Sequence, residues 1–106
     1  MPNPKGKTLG EDLKELASRE YPVVPLNNAL QSLRNAATEC NVKDVLTFSG
    51  SVGSAIEAFH QFSLGKLLEG GSLSGFADAH SLIFNLQAKV TEEVLATLKA
   101  KQCKCR

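Results

Sequence analysis

VLTFSGSVGSAIEAFHQFSLGKLLEGGSLSGFADAHSLIFNLQAKVTEEV, residues 45–94, carries two apolar rhythms separated by a glycine pair. Before Gly70-Gly71, Val45, Phe48, Val52, Ala55, Phe59, Phe62 and Leu67 recur at helical spacing. After it, Leu73, Phe76, Ala79, Ile83, Leu86, Val90 and Val94 do the same. Each set falls on one face of an α-helix. Two helices joined by a short glycine turn make an antiparallel hairpin. The expected fold is therefore all-α: a small four-helix bundle, one domain over residues 1–106, built on a long C-terminal helical hairpin.

Within the first rod, Phe48-Ser49-Gly50-Ser51-Val52-Gly53-Ser54 sets two glycines and three serines among the apolar positions. That composition costs a helix about 2 kcal/mol against alanine. One reading breaks the helix there and restarts it at a capping box, Ser54 to Glu57. The other keeps one helix from Lys43 to Glu69, because Val45, Phe48, Val52 and Ala55 stay in phase. The continuous helix is preferred, with a tight crossing expected against the small residues. The second rod is expected from Leu73 to Ala100, capped by Ser72 or Ser74 and about 40 Å long.

Two shorter helices precede the hairpin. Thr8-Leu9-Gly10-Glu11 has capping-box spacing, so a helix should run from there to about Glu20. Its early acids, Glu11, Asp12 and Glu15, suit the positive end of the helix dipole. Pro22 and Pro25 bracket Val23-Val24, which reads as an extended connector. The next helix follows Pro25 with a seam of Leu26, Leu30, Leu33, Ala37 and Cys40, and Asn41 is its expected stop. Residues 1–7 read as a flexible arm. Residues 99–106 read as a basic tail containing Cys103 and Cys105.

The chain has 106 residues, a formal charge of +1, five Phe, one Tyr and no Trp. So small a charge recruits neither nucleic acid nor anionic membrane. Scarce aromatics supply no base-stacking platform. The first twenty residues hold no apolar run, and no apolar stretch reaches membrane-spanning length. Three cysteines, two of them near the end, do not read as a disulfide framework and fit a reducing, cytoplasmic setting. Cys40 lies on an apolar seam and reads as an inert core residue.

Few constellations carry chemistry. Glu57 and His60 are three apart, on one side of a helix, like the ligand pair of di-iron carboxylate proteins, but those sites need two such copies plus two further Glu, and here there is one copy. His60 and His80 fall within about one turn of each other across the hairpin, which permits a shared metal or a pH-sensitive pair. Cys103-Lys104-Cys105 offers two thiolates for metal or redox work, and basic neighbours would make them reactive. Lipidation of the tail is the one route to a membrane. No phosphate-cradling loop, nucleophile elbow or carboxylate cleft is visible. No catalytic residue and no cofactor is assigned.

The short helices cannot shield two rods of about 40 Å. Apolar surface at Phe48, Val52, Phe59, Phe62, Phe84, Leu95 and Leu98 is expected to meet a partner. The expected function is a non-enzymatic protein–protein interaction module, homodimeric through a hydrophobic groove. One alternative is a carrier of a small hydrophobic ligand or lipid within the bundle. Another is a metal or redox protein using Cys103 and Cys105, with Glu57, His60 and His80 as further metal candidates.

Overall fold

A computed structural model describes residues 8–103. Of these, 84% are helical, in four helices, with no strand among the described residues. They are α1 (Leu9–Ser18), α2 (Val23–Thr38), α3 (Val42–Leu68) and α4 (Leu73–Ala100). Short connections make neighbours antiparallel, so α2 and α4 run the same way and end together. The expected arm (1–7) and the last residues of the expected tail (104–106), Cys105 included, lie outside the described residues. The start of that tail, Lys99-Ala100, is the last turn of α4.

Every helix ends in the same way. Glu20, Cys40, Gly70 and Gln102 each take a positive φ two residues past the helix. At each end the following N–H reaches back six residues inclusively: Tyr21 to Leu16, Asn41 to Ala36, Gly71 to Lys66 and Cys103 to Leu98. This pairing satisfies carbonyls that the helix leaves open. Gly70 takes the conformation without strain at φ 104°, and a Cβ at Gly71 would lie 2.8 Å from the Lys66 carbonyl oxygen. Both glycines of the hairpin turn are thus required, for different reasons.

The starts differ from expectation in two places. Thr8 closes the expected capping box: its Oγ1 accepts from the Glu11 N–H while Glu11 accepts from the Thr8 N–H. Val23-Val24, read as extended, is instead the first turn of α2. Pro25 is tolerated there because an N–H in the first turn has no intrahelical acceptor to lose. Asn41, read as the stop of α2, instead opens α3: its Oδ1 accepts from the Asp44 N–H, and Cys40 takes the left-handed position.

α3 is continuous through Gly50 and Gly53. The tight crossing expected against them does not occur, since a Cβ at either would meet no atom within 4 Å. Gly50 is exposed, and Ser49 and Gly53 border an open groove toward α4 rather than a close backbone contact.

The core lies where α2 packs along α3, its most extensive neighbour, with α4 closing the other side. Leu16, Leu26, Leu33, Phe59, Ile83 and Leu86 are fully buried. Each contributes about 1.5–3 kcal/mol by leaving water. α1 reaches α2 and α4 but not α3. The result is long and flat, with extents of 50 × 34 × 18 Å. Its radius of gyration is 15.1 Å, against about 13 Å for a compact chain of this length. Leu46, Leu64 and Leu68 on α3 and Leu73, Phe84 and Leu95 on α4 are exposed, so the hairpin rods are not wrapped by the rest of the chain.

A disulfide joins Cys40 to Cys103, with Cα atoms 5.3 Å apart. It ties the end of α2 to the end of α4 and overturns the reading of the cysteines as unpaired. Cys40 is not an inert core residue, and Cys103 is not a tail thiolate. Spacing along the chain hides this pair, because their approach depends on α2 and α4 being parallel and ending level.

The uncovered face of the hairpin as candidate functional site

α4 has three sides. Ala79, Ile83, Leu86 and Val90 face the core. Asp78, Lys89 and Glu93 face α1 and α2 and are tied to them. Leu73, His80, Phe84, Gln87, Thr91 and Leu95 form a solvent-facing line at helical spacing. A matching exposed line along α3 holds Leu46, Gly50, Gly53, Glu57, Leu64 and Leu68, with the half-buried His60 among them.

The tied side is a ladder that sequence reasoning missed. Asp12 is only 1% exposed, and its Oδ2 accepts from Lys89 Nζ at 2.6 Å. Asp12 sits three after Leu9 and four before Leu16, on the apolar side of α1. That position was the available signal that it would be buried rather than solvated. Removing one partner of such a pair costs about 3–5 kcal/mol, because a buried charge is left uncompensated. Arg19 bridges Glu15 at 2.9 Å and Asp78 at 3.0 Å. Arg34 grips both carboxylate oxygens of Glu93, at 2.6 and 3.0 Å. That hydrogen bonding raises the Arg34 pKa above its ordinary value, against the opposing effect of burial. Tyr21 shares a buried 2.6 Å hydrogen bond with Ser63 and lies edge-on to Phe59.

On the uncovered side, α3 and α4 part to form an apolar groove of about 280 Å³. Leu33 of α2 contributes to its lining, with Val45, Val52 and Ile56 from α3 and Val90, Val94 and Leu98 from α4. Ser49, Gly53, Gln87, Thr91 and Leu95 complete it. Phe84 stands one turn beyond Gln87 and shares a shallow depression with Gln87, Ala88 and Thr91.

The expected surface residues divide between core, groove and solvent. Phe84 is 66% exposed and Leu95 53% exposed. Val52 and Leu98 line the groove, and Phe48 is half-buried against the core. Phe59 is fully buried beside Tyr21 and offers nothing to a partner, which corrects its place in the expected surface. Its helical phase marks an inward side but cannot tell a core from an interface. Phe62 is half-buried under Tyr21, with the Lys66 ammonium 5.2 Å from its ring centre.

The two histidines do meet. Their ring centres are 5.0 Å apart with planes inclined by 39°. Burial first, and the charge of His80 second, push the His60 pKa below its ordinary value. Phe76, one turn before His80, stacks near it with ring centres 6.3 Å apart. Glu57 remains exposed on α3, and no group of three His, Cys, Asp or Glu suited to a metal gathers among the described residues. Cys103 is withdrawn as a metal candidate by its disulfide. No helix among the described residues is long and apolar enough to cross a membrane.

No protein-family model, curated protein or solved structure matches the chain.

Proposed function

We propose that this chain is a non-enzymatic helical interaction module that pairs with a second copy of itself through the outer face of the α3–α4 hairpin. The observation that carries this reading is a large exposed aromatic, Phe84, standing beside an apolar groove on the same face. In a two-fold arrangement the same patch serves both copies, so each Phe84 can enter the other's groove. Gly50 and Gly53 leave room for a second backbone to approach α3.

The test is sedimentation equilibrium of the full chain with the disulfide intact. The wild-type chain should dimerise, and Phe84→Glu or Leu95→Glu should leave a folded monomer. A wild-type chain that stays monomeric at high concentration overturns the reading. The groove itself favours one alternative, a small hydrophobic ligand held between Val52, Ile56, Val94 and Leu98. Native mass spectrometry of gently purified protein would then show a co-purified adduct on a monomer.

The Cys40–Cys103 pair speaks against the cytoplasmic setting expected from the cysteine count. A disulfide such as Cys40–Cys103 is kept reduced by cytosolic thiols and persists in oxidising compartments.

A further inference from the structure

We propose that His60 and His80 form a two-imidazole site for a divalent transition-metal ion of the zinc, copper or nickel class. The proposal is independent of self-association, since one chain supplies both rings.

Geometry carries it. Metal–nitrogen bonds of about 2.0–2.1 Å, with each ring centre roughly 1.1 Å behind its nitrogen, place two tetrahedrally disposed imidazoles about 5 Å apart, centre to centre. The ring centres here stand at 5.0 Å. The two side chains come from different helices, fixed by the hairpin turn, so little chain freedom is lost when an ion bridges them. His80 is further held by the stacking of Phe76.

The surrounding charges do not compete for the site. Arg19 is engaged with Glu15 and Asp78, and the Lys66 ammonium sits over the Phe62 ring. Glu57, one turn before His60, is an exposed carboxylate and adds no repulsion toward a cation. With two protein ligands, the remaining positions on the ion stay open for water or for a donor from another molecule. Open positions of this kind belong to exchangeable sites rather than closed structural ones.

The experiment is calorimetric titration of Zn²⁺ alone into the full chain, disulfide intact, carrying Cys105→Ser to remove the remaining thiol. Saturable binding is expected at one ion per chain, or one per two chains where a second copy supplies further donors. His60→Ala and His80→Ala should each weaken it at least roughly tenfold, because even outer-shell partners of metal ligands are worth 10–100-fold. Imidazole proton signals of both residues should shift together in the NMR spectrum. Absence of saturable binding, or binding unchanged in both histidine variants, overturns the proposal. Sedimentation in the presence of chelator scores self-association separately, so the two readings fail independently.

Discussion

The two flanks of α4 are built on opposite principles. On the flank toward α1 and α2, four positions on α4 and just past its end are joined to distant parts of the chain: Asp78 to Arg19, Lys89 to Asp12, Glu93 to Arg34, and Cys103 to Cys40. On the flank toward solvent, Leu73, Phe84 and Leu95 are exposed with nothing over them. Polar and covalent links orient the joined flank, because their geometry is directional. Apolar contact has no direction and waits for whatever surface arrives. The same helix thus has one side committed within the chain and one side left available to another molecule.

Cutting the covalent link should have the largest effect on that contrast. The disulfide closes a sequence separation of 63 residues. Removing it by paired Cys40→Ala and Cys103→Ala changes should lower unfolding free energy by about 4 kcal/mol, through greater freedom of the unfolded chain. Denaturant titration checks this, and a loss near zero would mean that the joined flank is held by packing alone.

A smaller effect compares neighbours on the two flanks directly. Leu86→Ala, in the core, should cost about 2–3 kcal/mol. Phe84→Ala, two residues earlier and exposed, should stay within about 0.5 kcal/mol at concentrations where the chain is monomeric. Equal losses at the two positions would erase the distinction between the flanks.

The smallest effect is a pH slope. Burial, and then the charge of His80, lower the His60 pKa in the folded chain. The unfolded chain therefore takes up this proton more readily, and stability rises with pH through this range. The contribution is complete above the ordinary histidine value of about 6.5 and is lost as pH falls through the lowered folded value. His60→Gln should flatten the slope of melting temperature between pH 7 and pH 5. An unchanged slope would assign the acid sensitivity to other groups.

Much of the fold was legible because periodicity is a local property. The capping box at Thr8, the hairpin turn at Gly70-Gly71 and the unbroken α3 all follow from residues within a few positions of each other. The meeting of His60 and His80 was legible for a related reason, since a hairpin fixes the register across its turn. Phe84 and Leu95 were legible as exposed by length alone, because two short helices cannot cover two long ones. Val23-Val24 and Asn41 were misread where one local preference competes with another: proline against extending the helix backward, and asparagine as a stop against asparagine as a start.

What the sequence by itself determined is the number, length and pairing of the helices, because an amphipathic repeat needs only its own residues to declare a face. The tertiary structure alone decided that Asp12 is buried against Lys89, that Cys40 reaches Cys103, and that Phe59 belongs to the core rather than the surface. Each of those depends on which helices lie side by side and how far each extends. That is set by packing across dozens of residues, where no local spacing carries the signal.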